Sequence, residues 1–224
     1  GVTGAHTFVT TTQLPTFDAS GKVENTCSVC GKTELVKVLA RLTKFKDVAK
    51  GAWYYDAVAY ANALGLMTGV GDNMFKPNDP ITRAEFTSVI ARMAGVSTKK
   101  TATAFKDVPK SHWASGAIAW GEKTGIVSGY SSTVFDPDGK ITREQICTII
   151  VRFVNYQGIT LPKKIAKIKF SDDSKIGGYA RESVYICQRA GIVAGTDGKF
   201  NPKNNASRAE ICQIIKNYMT AIGA

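Results

Sequence analysis

The sequence predicts a mainly α protein made of three tandem helix–loop–helix repeats packed about a pseudo-three-fold axis, preceded by a short β-rich segment. Three observations carry this. Phe45, Asp47, Val48, Trp53, Gly65, Gly69, Phe75, Pro77, Ile81, Thr82 and Arg83 recur sixty residues later as Phe105, Asp107, Val108, Trp113, Gly125, Gly129, Phe135, Pro137, Ile141, Thr142 and Arg143. A third copy runs Phe170, Asp172, Tyr179, Gly191, Gly195, Phe200, Pro202, Ser207 and Arg208, with one extra residue before Tyr179 and one fewer between Gly195 and Phe200. Each copy also closes on apolar residues at helical spacing. The resulting divisions are 1–40 for the β-rich segment, then repeats over 41–104, 105–169 and 170–224.

Residues 1–40 come first. They carry no net charge, and HTFVTTTQLPTFDASGKVENTCSVCGKTE, rich in Thr and Val, reads as short strands and turns separate from the repeats. It is similar to the tail of a small cysteine-containing β repeat of Gram-positive surface proteins. Cys27 and Cys30 have zinc-knuckle spacing and His6 is a possible third ligand, but no second pair completes a tetrahedral site. The expectation is no metal; a His6, Cys27 and Cys30 zinc site, a local disulfide and free thiols all stay open. Cys147, Cys187 and Cys212 fall in apolar periodic segments and read as small buried hydrophobes.

The first helix of each repeat is expected over about 53–64, 113–124 and 180–190, stopping at Gly65, Gly125 and Gly191, where a left-handed C-cap favours glycine. The connection that follows, with a second glycine and then Phe-x-Pro, is too polar and turn-rich for another helix. The second helix begins after Ile81, Ile141 and Ala206. Its start is marked by Thr82 with Glu85, Thr142 with Gln145, and Ser207 with Glu210, the spacing of a capping box. Phe86, Val89, Ile90 and Met93 with their counterparts in the later copies form its apolar face. A helix pair of this size cannot close a core alone, so the three faces are expected to be buried together.

Composition narrows the function. Apolar residues at 44% and charged residues at 21% describe a folded chain rather than a disordered tail. No apolar run is long enough to span a membrane, and GVTGAHTFVT lacks the basic and apolar regions of a signal peptide, which suggests a processed or excised fragment. The net charge of +11 favours a polyanionic partner, and it is spread over the three repeats rather than set in one basic run. The densest stretch, LPKKIAKIK, reads as a linker. Asp136-Pro137-Asp138-Gly139 fails as a calcium loop because Lys140 and Cys147 occupy ligand positions. No nucleophile elbow, phosphate loop or metalloprotease motif occurs, so catalysis is not expected and no cofactor is implied.

FKDVAKGAW…GLMTGVGDNMFKPNDPITRAEF, FKDVPKSHW…GIVSGYSSTVFDPDGKITREQI and FSDDSKIGGY…GIVAGTDGKFNPKNNASRAEI resemble three consecutive S-layer homology domains, over residues 45–222. The resemblance implies a three-pronged spindle with a central helical bundle, formed within a single chain. It also implies a non-catalytic function: noncovalent anchoring of a bacterial surface protein, outside the cell, to secondary cell wall polysaccharide through a terminal pyruvylated sugar. No nucleic acid and no membrane insertion are expected. The motif departs from T-R-A-E at Thr142-Arg143-Glu144-Gln145 and at Ser207-Arg208-Ala209-Glu210, but its arginine is kept.

Arg83, Arg143 and Arg208 follow a helix N-cap, where the dipole disfavours a cation. An anionic ligand explains the repetition, with helix amides as further donors; an ion pair with Asp47, Asp107 or Asp172 is the internal alternative. These aspartates suit sugar hydroxyls or a turn. Trp53, Trp113 and Tyr179 suit a pyranose face or the core. Gly69, Gly129 and Gly195 permit close approach or a turn. The competing functional class is a basic helical-repeat module binding nucleic acid; against it, no recognition helix concentrates the charge. A wall hydrolase would need an acid/base carboxylate pair, and the repeated Asp and Glu are better placed in turns and caps.

Overall fold

The computed structural model describes residues 6–223. Two compact units divide the chain at 1–76 and 77–224, so the division falls inside the first repeat.

In the first unit, β1 (Phe8–Gln13), β2 (Gly21–Cys27) and β3 (Thr33–Leu39) form an antiparallel sheet in the order β1-β2-β3, with a register shift at Val23/Glu24. The Thr and Val of these segments favour strands, yet β1 and β3 are exposed along almost their whole length. What anchors the segment is the β1–β2 loop. Phe17 is fully buried, its ring 5.8 Å from Phe45 and 5.3 Å from Tyr55, and Phe45 in turn packs 5.3 Å from Phe75. Asp18 beside it accepts from Tyr55 and pairs with Lys44 at 3.0 Å. One aromatic residue in a Thr-rich stretch thus shares the first repeat's core. Helix α1 (Tyr55–Ala63) follows, and Gly65 terminates it at φ +67°.

The second unit contains α2 (Arg83–Met93), α3 (Ser115–Lys123), α4 (Arg143–Tyr156), α5 (Arg181–Arg189) and α6 (Arg208–Ile222), with a short 3-10 turn at Asp173–Lys175. The capping boxes form as the spacing predicts: Thr82, Thr142 and Ser207 each accept from the backbone of the residue three further on, whose side chain bonds back. Gly125 and Gly191 end α3 and α5 at φ +70° and +76°. Helices α2, α4 and α6, the closing helices of the repeats, converge through Phe86, Ile90, Ile150, Phe153, Ile214 and Tyr218, leaving a residual void of about 10 Å³, too small for more than a single water. Just before their N-termini a closed ring of backbone hydrogen bonds joins the copies: Ile81 N–H donates to Ala206 O, Ala206 N–H to Ile141 O, and Ile141 N–H to Ile81 O, at 3.0, 3.2 and 3.1 Å. All three residues are fully buried. This ring gives the unit its pseudo-three-fold axis. Cys147, Cys187 and Cys212 are buried, and burial pushes the Cys212 thiol up to about 12. Among the described residues no helix is long and apolar enough to cross a membrane.

Candidate carbohydrate-binding groove

The residues expected to bind ligand divide into a scaffold and a groove. The aspartates belong to the scaffold. Asp107 accepts from Phe135 N–H at 2.9 Å and Asp136 N–H at 2.6 Å; Asp172 accepts from Phe200 and Asn201, both at 2.8 Å; Asp47 accepts from Phe75 and Lys76 at 2.8 and 2.6 Å. The second residue of each pair adopts the left-handed region, with φ of 54°, 60° and 55° for Lys76, Asp136 and Asn201, a conformation that non-glycine residues hold only when fixed. The carboxylate does the fixing. Burial works to raise the pKa of Asp107 and Asp172, but the paired amide bonds outweigh it and hold both below the ordinary 3.8.

The second glycine of each pair is explained by crowding rather than by positive φ. A Cβ on Gly129 would lie 2.3 Å from Val134 O and 2.6 Å from the Phe105 ring, and one on Gly195 would lie 2.6 Å from Lys199 O. Gly69 is confined in the same way by Phe45 and Met74 O.

The arginines join scaffold to groove. Arg83 Nε donates to Phe135 O at 2.8 Å and Nη2 to Ser128 O at 2.9 Å; Arg143 makes the equivalent bonds to Phe200 O and Ala194 O at 2.9 and 2.7 Å. Each guanidinium thus clasps the loop of the following repeat through the Phe whose amide the aspartate holds, and among the described residues neither Arg83 nor Arg143 pairs with an aspartate. Arg83 also lies 4.4 Å from the Phe135 ring centroid and 4.7 Å from that of Tyr130, within cation–π range. Burial lowers its pKa, but a guanidinium stays charged at any physiological pH.

The expectation that helix N-terminal amides are available to a ligand is corrected. Arg83 and Ala84 N–H donate to Gly139 O and Pro137 O; Arg143 and Glu144 to Asn204 O and Pro202 O; Arg208 and Ala209 to Asp79 O and Pro77 O, all at 2.9–3.1 Å. The third amide of each helix is taken by the capping box. The loop carbonyls of another repeat satisfy the donors that a helix start leaves open, so the positive charge offered to a ligand is the guanidinium.

The three arginines differ in what faces them. Glu210 bonds its own cap with Oε2 and places Oε1 3.6 Å from Arg143; Glu85 caps with Oε2 and places Oε1 3.9 Å from Arg208. In the second copy this position is Gln145, whose Oε1 caps while Nε2, a donor, turns to the Tyr130 hydroxyl at 3.0 Å. Among the described residues no carboxylate lies within ion-pair distance of Arg83. A cavity of about 330 Å³ opens there, lined by Arg83, Ser128, Gly129, Tyr130, Gln145, Thr148, Ile149, Arg152 and Tyr179. Arg83, Gly129 and Tyr179, one expected residue from each repeat, are thereby brought together.

Tyr179 forms the exposed wall, 59% accessible, and its hydroxyl donates to Glu144 Oε1 at 2.8 Å. Glu144 is itself buried, accepts from Gly177 N–H at 2.9 Å and pairs with Lys203, so its charge is balanced locally. Burial acts to raise its pKa, but the Gly177 and Lys203 bonds prevail and keep it ionised. Trp53 and Trp113, at 62% and 54% exposure, are likewise surface aromatics rather than core; Trp113 packs 5.6 Å from His112, away from the residues that line this cavity. Tyr130 and Arg152 were not singled out from sequence, and Gln145 was read there as a helix cap alone. The one signal for them was the glutamine in T-R-E-Q, which the capping role alone explains.

A profile of the S-layer homology domain matches residues 44–87, 104–147 and 169–212. The chain is 34% identical over 182 residues to an amylopullulanase of Thermoanaerobacterium thermosulfurigenes, covering 80% of this chain and 10% of that protein. It is 32% identical over 179 residues to an S-layer protein of Bacillus licheniformis and 30% over 179 to S-layer protein EA1 of Bacillus anthracis, each covering 80% of this chain and 20% of the relative. The chain thus spans about a tenth to a fifth of the length of these relatives. Three tandem matches, in register with the repeated Asp–Phe–Arg scaffold, show that the chain belongs to the S-layer homology domain family.

Proposed function

We propose that this chain is the noncovalent anchor of a bacterial surface protein, working at the cell surface by binding secondary cell wall polysaccharide, with an acidic pyruvylated terminal sugar held in the Arg83 groove. The observation that carries this reading is the Arg83 guanidinium: it faces a cavity beside an exposed aromatic ring without a carboxylate partner among the described residues. A ketal carboxylate is the complementary charge for its remaining N–H donors. Tyr179 supplies a flat face for the pyranose C–H surface, and Gln145 Nε2 and Arg152 stand by as donors for sugar oxygens. The cavity lies in the lower range of small-ligand sites and suits a chain terminus rather than an extended polymer.

S-layer proteins among the relatives support the cell-surface placement. The catalytic names of others, such as the amylopullulanase, describe proteins of which the matched region is a small share. In this reading the repeats act by adhesion and the cargo lies elsewhere. Calorimetric titration of purified polysaccharide, native and chemically depyruvylated, into the chain tests it. Saturable binding to the native polymer with heat lost on depyruvylation is expected. Equal binding to both removes the carboxylate from the account, and binding to neither, with salt-sensitive DNA binding instead, overturns the anchor.

A further inference from the structure

The anchoring site leaves one cluster of chemically active side chains unused, at one end of the N-terminal sheet. His6 leads into β1, Cys27 closes β2, and Cys30 sits in the turn before β3. His6 Nδ1 lies 3.1 Å from Cys27 Sγ and 3.7 Å from Cys30 Sγ, and the three donor atoms all fall within 4.8 Å of one another. Tetrahedral zinc, with Zn–N of about 2.0–2.1 Å and Zn–S of about 2.3 Å, sets its ligand N···S separations at about 3.6 Å. The observed distances bracket that value. Neither cysteine is in a disulfide.

The backbone is also arranged as a ligand turn. Gly31, at φ +72°, donates to Cys27 O at 2.9 Å, Cys30 N–H points at Cys27 Sγ at 3.5 Å, and Ser28 N–H fastens the turn to Thr7 O at 2.9 Å. Amides aimed at a sulfur support a metal-bound thiolate and fix its orientation. A need for the cation comes from the sheet itself. With β1 and β3 exposed, three short strands bury little apolar surface of their own, and small scaffolds of this kind rely on staples.

We propose that His6, Cys27 and Cys30 bind one thiophilic divalent cation, zinc being the match for a donor set of one imidazole and two thiolates, so that all three strands are tied at one end. Among the described residues no fourth His, Cys, Asp or Glu joins the group, so the fourth coordination position is filled by solvent. The cation is structural: it joins residues ahead of β1 to the β2–β3 turn.

The test uses the full chain, reduced and metal-free, titrated with Co²⁺ as a spectroscopic stand-in for zinc. One Co²⁺ per chain with a thiolate-to-cobalt charge-transfer band, abolished by added Zn²⁺, is expected. His6 and Cys30 are exposed, so His6→Ala and Cys30→Ser keep the fold, checked by circular dichroism. Each is expected to weaken zinc by more than the ~10–100-fold that loss of an outer-shell partner costs. Absence of the charge-transfer band, unchanged zinc affinity in either variant, or formation of a Cys27–Cys30 disulfide in the presence of Zn²⁺ would overturn the proposal.

Discussion

At the scale of single residues, the groove separates groups that hold the fold from groups that face the cavity. Arg83 does both. Its Nε and Nη2 bonds to Phe135 O and Ser128 O position the next repeat's loop, so Arg83→Ala removes structure along with charge and reports poorly on binding. Tyr179 is the cleaner probe, since its ring is 59% exposed and its one side-chain hydrogen bond, from the hydroxyl, goes to Glu144. Tyr179→Phe is expected to keep polysaccharide affinity, whereas Tyr179→Ala should weaken it about tenfold, the ~1–1.5 kcal/mol of one aromatic contact. Titration calorimetry on both variants checks this; an equal loss in the two variants would assign the contact to the hydroxyl. The aromatic position was legible in sequence because it recurs at the start of every repeat. Its exposure was not, since large aromatics at helix starts also fill cores.

At the scale of elements, the recurring unit is the aspartate that holds the Phe-x-Pro loop. Two amide bonds to one carboxylate fix a left-handed residue, and the same Phe carbonyl receives the arginine. Asp107→Ala should therefore cost about 2–3 kcal/mol, the range of hydrogen bonds to a charged group, and should loosen the groove wall as well. Because the folded pKa of Asp107 and Asp172 is depressed, the stability they supply is fully present above the ordinary 3.8 and is lost as pH falls through the lower folded values. Urea denaturation at pH 7 and at about pH 3 should show a smaller acid loss for Asp107→Ala than for the unaltered chain, and an equal loss would contradict the assignment. Helix starts and stops were readable from the capping boxes and glycines, which are local signals. The partners of the first helix amides were not, because the carbonyls of Gly139, Pro137, Asn204 and Pro202 come from a different repeat and any residue carries a carbonyl. Phe17 escaped for a related reason: nothing in its neighbourhood marks it as part of a distant aromatic core.

At the scale of the whole molecule, of three equivalent arginines Arg83 has no carboxylate within ion-pair distance among the described residues. The repeat pattern disclosed their equivalence, and the departure to Gln145 disclosed the asymmetry only once the neighbouring copy's Arg was seen to face that position. Glu210 and Glu85 each lend a carboxylate oxygen to an arginine, at 3.6 and 3.9 Å, while Gln145 offers an amide nitrogen. The central claim is that this exchange selects the working groove. Gln145→Glu tests it most directly, because glutamate caps the helix equally well at the equivalent position in the other two repeats and the fold is kept. The new carboxylate competes with the ligand for Arg83, and the affinity for native polysaccharide measured by calorimetry should fall about fivefold to tenfold, the ~1 kcal/mol of a partly exposed ion pair. An affinity equal to that of the unaltered chain, with the melting profile preserved, would contradict the claim and move the anion site away from Arg83.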